Sequence, residues 1–253
     1  MRNQLYYQEG NIDLLKDTSF KLGIVGSRSI LSYTKNVLEN LFIELKNFDF
    51  CIVSGGMYGV DIYAHNLALR NNLKTIIVLP QGISTYKDSS LYNQLYLKEN
   101  SNYLMVSEYP DNFLPRKYTY LQRNKIIAEL SNVLLIAQAS YKSGSISTAF
   151  SAIKQNKKLV SVPFSLDTPQ FQGTNLLIDK GSKIYLNPST VLEQFNISER
   201  NIEDTIKNIL FSKPHSLKDL ELRSGIGSGR VQNCVLKLIL DGEIFFDGEK
   251  YSL

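Results

Sequence analysis

The sequence is poor in the side chains that build metal centres and disulfide frameworks. Its 253 residues include two cysteines and two histidines, and tryptophan is absent. So few ligands exclude a cysteine- or histidine-based metal cluster, and we expect neither a metal nor a cofactor. Cys51 and Cys234 each lie in an apolar run. We therefore expect two buried thiols rather than a disulfide.

Long hydrophobic runs are missing as well. The apolar run from Val133 to Ala137 is far shorter than the roughly 20 residues that a membrane-spanning helix needs. Residues 1–17 contain acids and no continuous apolar core, which excludes a secretory signal. The sequence therefore predicts a cytoplasmic protein without a membrane partner.

Neither sign of charge dominates, and the net charge of +4 is unevenly distributed. Residues 1–198 carry 20 Lys and Arg against 15 Asp and Glu, whereas residues 199–253 carry 8 against 9. A polyanionic partner is therefore expected to bind the first part of the chain.

What the sequence does contain is a repeated alternation of apolar runs and helical patterns. The runs are apolar almost throughout, as in strands that are covered on both faces, and such alternation is typical of right-handed crossovers in a parallel sheet. We predict an α/β fold with a doubly wound, mainly parallel, Rossmann-like sheet. The predicted strands are 22–27, 50–55, 74–80, 103–109, 132–139 and 158–164, and the helix candidates are 33–46, 60–72, 93–100, 123–130 and 145–156.

The pattern changes after Phe195, which suggests a second domain. Three helical patterns follow one another, the second with Ser216 as a plausible N-cap, and a hairpin with its turn at Asp247-Gly248 ends the chain. This layout is that of a winged helix. We predict a Rossmann-like domain with a short N-terminal extension over 1–198 and a winged-helix domain over 199–253, joined by the polar segment NISERN.

Three of the predicted strands end in glycine and serine. The segments are Gly23–Arg28, Ser54–Gly59 and Ser143–Thr148. Glycine allows close backbone approach, and the free N–H groups of a helix N-terminus attract anions. Each segment alone could simply form a tight turn, and none matches a Walker A loop or a dinucleotide fingerprint. Together they predict an anion-binding rim at the carboxyl edge of the sheet.

A further segment at this rim, YPDNFLPRKYTYLQRNKII (109–127), combines four aromatic residues with four cations and one acid. Pro110 and Pro115 predict a loop over its first half. The cations could contact phosphates and the rings could stack on unpaired bases. Alternatively, the tyrosines could pack as a lid while the cations remain solvated.

Seven motifs in order resemble the family of DNA-processing protein A (DprA, also called Smf). They are GIVGSR (23–28), VSGGMYGVDIYAHNLAL (53–69), TIIVLPQGI (75–83), SEYP (107–110), RNKIIAELS (123–131), SGSISTA (143–149) and GTNLLIDKG (173–181). The resemblance implies a Rossmann-like homodimer, which would bind and protect incoming single-stranded DNA during natural transformation and help to load RecA recombinase onto it. The C-terminal layout also looks like the family's winged-helix module.

The resemblance also assigns roles to individual residues. Arg28 resembles the family's main phosphate-binding arginine, Lys117 a second DNA-contacting cation, and Tyr120 the aromatic residue that stacks on a base. Arg123 and Asn124 match an Arg-Asn pair that shapes the pocket or contacts DNA. The remaining predicted contacts, from backbone amides and hydroxyls along a phosphate track, are Gly26, Ser27, Ser54, Gly55, Gly56, Ser143, Gly144 and Ser145.

Three departures from the family pattern qualify this assignment. Leu121 replaces a proline after the aromatic position, which leaves the loop geometry near Tyr120 open. Gln138 stands where an acid is common, so we expect the pocket to lack that charge. About 20 residues precede Lys21, so we expect no counterpart of the helical domain that many relatives carry there.

The sequence offers few candidates for an enzyme. Asp61 and His65 lie four apart on a predicted helix, as an acid–base pair could, but a dipole partner and a half-buried helix residue explain them more simply. His215 is expected at the surface. Glu108 could contact a base or pair with Arg123 or Lys125. SGSIS is no nucleophile elbow, and we expect no enzymatic activity.

Two alternatives remain open. The first is a nucleotide-binding or nucleotide-hydrolysing Rossmann-fold protein related to phosphoribohydrolases, although their Pro-Gly-Gly-x-Gly-Thr motif is absent. The second is a transcription regulator that reads duplex DNA with its winged helix. Acids in the hairpin region would repel phosphates there, so we favour a protein partner for the C-terminal domain.

Overall fold

The computed structural model describes residues 7–97, 101–197 and 199–253, the side chains of residues 199–201 excepted. An eight-stranded sheet forms its centre, in the order β1-β5-β4-β3-β2-β6-β7-β8. The six predicted strands are confirmed, and a short strand is added at each edge. The strands are β1 (Tyr7–Gly10), β2 (Phe20–Gly26), β3 (Phe50–Ser54), β4 (Lys74–Leu79), β5 (Tyr103–Ser107), β6 (Val133–Gln138), β7 (Lys158–Ser161) and β8 (Lys183–Ile184).

Helices cover both faces of this sheet. They are α1 (Ser32–Leu45), α2 (Val60–Arg70), α3 (Ile83–Lys87), α4 (Lys117–Leu130), α5 (Gly144–Lys154), α6 (Gln172–Asp179) and α7 (Pro188–Gln194). Leu38 and Phe42 of α1 belong to the core on one face, and Ile126 and Ala149 belong to the core on the other. Burial on both faces explains why the central strands are apolar throughout. The predicted doubly wound, mainly parallel α/β fold is confirmed.

The chain order reverses between β2 and β6. From β2 the chain builds outward through β3, β4 and β5, and it then returns to the other side of β2 to form β6, β7 and β8. The register between β2 and β6 shifts at Val25/Gly26. Such a reversal opens a crevice at the carboxyl ends of the two strands, where ligands of open α/β sheets bind.

Two details of the sequence-based prediction are wrong. Helix α4 begins at Lys117, six residues before the predicted start, because Arg116 is its extended N-cap and donates its backbone N–H to Thr119 Oγ1 at 3.1 Å. The predicted helix over 93–100 is not formed in its described part. Only Tyr92–Gln94 make a single 3₁₀ turn, and residues 98–100 lie outside the described residues.

The C-terminal region contains the predicted three helices and hairpin. Ser216 caps the second of these helices, α9 (Leu217–Ser224), through a capping box with Asp219, and Gly225 ends that helix at a φ of 66°. The hairpin turns at Asp247-Gly248, where the Asp247 carboxylate accepts bonds from the following backbone N–H groups. The elements are α8 (Glu199–Ser212), α9 (Leu217–Ser224), α10 (Ser228–Leu240), β9 (Phe245–Phe246) and β10 (Tyr251–Ser252).

This region packs onto α1 and the turn that follows it. Arg230 forms an ion pair with Glu44, and Phe48 and Ile226 form a β-bridge. The apolar side chains of α8 and α10 join the core cluster that contains Phe42. The winged-helix assignment and the boundary at 198/199 stay predictions, and Ser198 in the predicted linker lies outside the described residues.

Cys51 and Cys234 are both buried, as predicted, and no disulfide joins these two described residues. His215, expected at the surface, is only 3% exposed because its backbone pairs with Tyr251 of the hairpin. Within the described residues, no helix is both long and apolar enough to cross a membrane.

Candidate nucleic-acid interface

A pocket of about 300 Å³ opens at the crevice between β2 and β6. We call it the rim pocket. The loop after β2, one face of α4 and the first turn of α5 form its walls. It brings together nine of the predicted site residues, and these are Gly26, Ser27, Arg28, Tyr120, Arg123, Asn124, Ser143, Gly144 and Ser145. The other lining residues are Val25, Met57, Asp61, Ile127 and Thr148.

Arg28 and Tyr120 meet at the mouth of the rim pocket. The guanidinium carbon of Arg28 lies 5.7 Å from the centre of the Tyr120 ring. Arg28 is exposed and Tyr120 is half-buried, so both remain accessible to a ligand. An exposed cation beside an accessible ring is suited to a phosphate and an adjoining base.

Gln138 fixes the loop that carries Arg28. Its side-chain oxygen accepts hydrogen bonds from Leu31 N (3.0 Å) and Thr34 Oγ1 (2.9 Å), and its amide donates to Ser29 O (3.0 Å). Gln138 is fully buried and does not line the rim pocket. The side chain at position 138 therefore lies outside the lining of the pocket whose charge it was expected to change. Its effect is to anchor the main chain on the C-terminal side of Arg28.

Arg123 forms the floor of the rim pocket rather than its mouth. Its guanidinium carbon lies 5.9 Å from the Tyr120 ring, but the side chain is buried. It donates hydrogen bonds to Gly55 O, to Val78 O at 3.2 Å and to Asn124 Oδ1 at 3.0 Å. Burial lowers the pKa of Arg123, and the nearby Asp61 charge opposes that shift.

Asn124 is also structural in part, because its amide donates to Gly144 O at 3.2 Å and ties α4 to the start of α5. Of the two roles left open for the Arg-Asn pair, the geometry supports shaping of the pocket. Ile127 and Thr148, which the sequence reasoning missed, could have been found from helical spacing. Ile127 lies seven residues after Tyr120, and Thr148 lies four after Gly144.

Asp61 is buried behind Arg123 and does not form an acid–base pair with His65. Burial raises the pKa of the Asp61 carboxyl, whereas the Arg123 charge and a hydrogen bond from Met57 N oppose that shift. His65 Nδ1 instead lies 2.7 Å from Thr75 Oγ1. His65 is fully buried, not half-buried as expected, and burial lowers its pKa to about 3. The ring is therefore neutral at pH 7.

The first turn of α5 supplies the polar wall of the rim pocket. Ser143 is its N-cap residue, and Gly144 is exposed, with open space where a Cβ would stand. The Ser145 hydroxyl donates to Gly26 O at 2.8 Å, which joins α5 to the loop after β2. The backbone N–H groups of a first helical turn lack intrahelical partners and favour anions. This turn can therefore bind a phosphate through its main chain.

The segment Ser54–Gly56 does not line the rim pocket, and its predicted place on the phosphate track is wrong. Ser54 is buried and donates to Ile24 O at 2.5 Å. A Cβ on Gly55 would collide with the Arg123 guanidinium. Only glycine at position 55 therefore leaves room for the Arg123 side chain to pass close to the main chain there. Gly56, with a φ of 65°, is covered by Tyr86, whose hydroxyl donates to Gly56 O at 2.7 Å.

Lys117 and Tyr120 lie on helix α4 and not on a loop, which corrects the prediction for this segment. Lys117 is the first helical residue and is exposed. Residues 117, 120, 124 and 127 share one helical face, and the last three line the rim pocket while Lys117 does not. The face therefore continues from the pocket towards solvent, with Lys117 as its outermost cation.

Two roles were considered for the aromatic residues of 109–120, stacking on bases and packing against each other, and the structure divides the residues between them. Tyr109 and Phe113 stack on each other, with ring centres 4.5 Å apart, and the Tyr109 hydroxyl donates to Gln122. These two rings pack locally, whereas Tyr118 is exposed and Tyr120 lines the rim pocket.

Glu108 lies at the same end of the sheet, directly after β5. Burial raises its pKa, the Glu129 charge adds to the shift, and the Lys125 charge opposes it. Of the two partners considered, Lys125 is thus the cation near Glu108, because Arg123 is engaged in the pocket floor. Among the residues that the structure describes, no group of three His, Cys, Asp or Glu side chains is placed to hold a metal ion.

Comparison with known proteins agrees with the motifs. The profile described as DNA recombination-mediator protein A matches residues 3–196. The chain is 30% identical over 207 residues to DNA processing protein DprA of Bacillus subtilis, covering 79% of this chain and 66% of that protein. It is 33% identical over 192 residues to DprA of Streptococcus pneumoniae, covering 76% and 66%. The chain thus spans just under two thirds of the length of these relatives.

A solved structure of DNA processing protein A from Helicobacter pylori superposes with a TM-score of 0.63 at 33% identity, covering 75% of this chain and 86% of that one. Both the fold and the motif order therefore agree with those of one family. The chain belongs to the DNA recombination-mediator protein A family.

Proposed function

We propose that the chain binds single-stranded DNA across the rim pocket and the outer face of α4. The observation that carries this proposal is the pairing of Arg28 with Tyr120 at the mouth of the pocket, 5.7 Å apart. A phosphate would contact Arg28 and the first turn of α5, and an adjoining base would stack on Tyr120. The Helicobacter pylori relative binds single-stranded DNA, which supports the same ligand here.

The geometry favours an unpaired strand over a duplex. A base can stack on Tyr120 only when its face is free, and the rim pocket, at about 300 Å³, is too small for a duplex to enter. Lys117 extends the cationic surface by one helical turn, so the strand would run along α4. Because phosphates and base faces carry little sequence information, we expect weak base preference.

The C-terminal helices offer less to a polyanion. The cations that the sequence places on α10 are Arg230 and Lys237, and both form ion pairs, with Glu44 and Glu203. A DNA-contacting surface on α10 would need to break these pairs. This observation supports a protein partner for the C-terminal region and weakens the hypothesis of a duplex-reading regulator.

The finer functions rest on family membership. We propose that the chain protects incoming single-stranded DNA, helps to load RecA recombinase onto it during natural transformation, and acts as a homodimer through its Rossmann-like part. We also propose that it performs no covalent chemistry, because Asp61, the one carboxylate among the described residues that line the rim pocket, is buried next to the Arg123 charge. The runner-up is mononucleotide binding, which the volume of the rim pocket would allow.

Fluorescence anisotropy with three competitors tests the choice. The ligands are oligo-dT, a duplex of equal length and a nucleoside monophosphate. Preference for oligo-dT supports the proposal, and preference for the monophosphate would replace it with the nucleotide-binding alternative. Preference for the duplex would move the interface to the C-terminal region.

A further inference from the structure

A second and larger pocket lies on the other side of the loop that carries Arg28. We call it the side pocket. Its volume is about 590 Å³, and its lining includes Lys35, Gly59, Tyr63, Asn66 and Tyr96. Apart from Gly59, which ends the glycine-rich segment Ser54–Gly59, none of these residues was assigned a role from the sequence. The side pocket combines two aromatic rings, amide side chains and a cation, which is the composition of a surface for unpaired nucleic acid.

The two pockets share a wall. Gly59 lines the side pocket, and Met57 of the same loop lines the rim pocket. Gly59 has a φ of 80°, and a Cβ at this position would collide with the carbonyl oxygens of Ser27 and Arg28. Val60 N donates to Ser27 O at 3.0 Å, which holds the two loops together. A strand leaving the rim pocket past Arg28 therefore reaches the side pocket directly.

The rings of the side pocket are held in place and accompanied by cations. The guanidinium carbon of Arg70 lies 4.3 Å from the centre of the Tyr96 ring, and Lys35 Nζ lies 5.8 Å from that of Tyr63. Asn66 fixes the segment of Tyr96 by accepting from Tyr96 N at 2.9 Å and donating to Gln94 O at 2.8 Å. Tyr96 is nevertheless 54% exposed, so a base can reach its ring.

The alternative is that these cation–ring pairs only stabilise the surface. This alternative explains why Arg70 packs on the Tyr96 ring. It does not explain why a pocket of this size lies beside the rim pocket, or why Tyr96 is exposed. The Glu39 carboxylate accepts a hydrogen bond from the Tyr63 hydroxyl. This hydrogen bond positions the Tyr63 ring and gives the Glu39 carboxylate a donor.

We propose that the side pocket binds the nucleotides that continue the strand held in the rim pocket. Tyr96 and Tyr63 provide stacking surfaces for bases, Lys35 and Arg70 contact phosphates, and Arg28 stands between the two pockets. This inference rests on the proposed function and extends it from a single pocket to a continuous path across the rim. It predicts that a strand long enough to reach the side pocket gains affinity there, whereas a strand that fills only the rim pocket does not.

The test compares two lengths of fluorescent oligo-dT, of about 4 and about 16 nucleotides, which are the ends of the usual range of site sizes. We expect Tyr63→Ala/Tyr96→Ala to weaken binding of the longer strand by about tenfold or more, while the shorter strand binds as before. The matched variant Tyr63→Phe/Tyr96→Phe keeps both rings and should keep more affinity for the longer strand than the alanine variant. Thermal melting checks that each variant is folded.

The outcomes separate the two proposals. If Arg28→Ala weakens both lengths but the alanine pair weakens neither, the side pocket is rejected and the rim pocket stands. If the wild-type chain binds neither length, both proposals are rejected. Should the alanine pair fail to fold, Lys35→Gln/Arg70→Gln replaces it. For the long strand, that variant should reduce the slope of log affinity against log salt by about 0.7 for each phosphate that is no longer neutralised. An unchanged slope would overturn the inference.

Discussion

Two arginines, Arg28 and Arg123, flank the ring of Tyr120, and they differ in exposure and in bonding partners. Arg28 at the mouth of the rim pocket is exposed, and within the described part of the chain it forms no ion pair within 4.0 Å. Arg123 in the floor is buried and bonded to main-chain carbonyls on β4 and the loop after β3. Matching motifs therefore identify two kinds of residue, those that can contact a ligand and those that build the pocket.

The largest expected effect is a loss of stability when Arg123, in the floor of the rim pocket, is replaced. Arg123→Ala leaves the Asp61 carboxylate buried without its neighbouring cation and removes the donor from two carbonyls. We expect the free energy of unfolding to fall by about 1–3 kcal/mol for each buried acceptor left without its donor, since those carbonyls lose their hydrogen bonds and cannot regain them from water. Urea denaturation measures this decrease.

Arg28→Ala is the matched control and should leave the urea midpoint nearly unchanged, because an exposed side chain is replaced. Adding Asp61→Asn to Arg123→Ala should restore part of the stability, since the unpaired charge is then gone. Equal stability of Arg123→Ala and the wild-type chain would contradict the distinction between floor and mouth.

The next effect is on affinity and comes from the ring between the two arginines. Tyr120→Ala should weaken binding of oligo-dT by about 1–3 kcal/mol, because the base can no longer stack on the ring. Tyr120→Phe keeps the ring and should bind nearly as tightly as the wild-type chain. Anisotropy titrations measure both, and similar decreases in the two variants would count against stacking.

A smaller effect is expected from each cation at the mouth. Arg28→Ala and Lys117→Ala should each reduce the slope of log affinity against log salt by about 0.7, the value for one phosphate contact on a single strand. The measurement is a salt series with oligo-dT. A slope that stays constant in both variants would remove these residues from the phosphate path.

The sequence predicts the fold and the location of the site better than it predicts individual contacts. The central strands are covered on both faces and are therefore apolar throughout, whereas β1 and β8 are mostly exposed edge strands without such a signal. The rule that ligands bind at the carboxyl ends of parallel strands points to the edge of the sheet where the rim pocket opens.

The errors within the site arise from contacts between distant parts of the chain and from one misleading local signal. Gly55 is covered by Arg123, which lies 68 residues further along, and nothing local to Ser54–Gly56 indicates that cover. The prolines before Lys117 are the local signal, because they favour a loop. Pro115, however, only precedes the N-cap, Arg116, and does not prevent a helix from beginning at the next residue.

The smallest expected effect concerns the cations of the C-terminal helices, and it tests whether charge alone can explain binding. Arg230→Gln/Lys237→Gln removes the same number of positive charges as Arg28→Gln/Lys117→Gln, so the net charge of the two double variants is equal. Because Arg230 and Lys237 pair with acids on neighbouring elements, the first variant should bind oligo-dT within about twofold of the wild-type chain. The second should show a much weaker salt dependence, since it removes two phosphate contacts. Equal weakening in both would mean that binding follows net charge, and the mouth of the rim pocket would then have no special role.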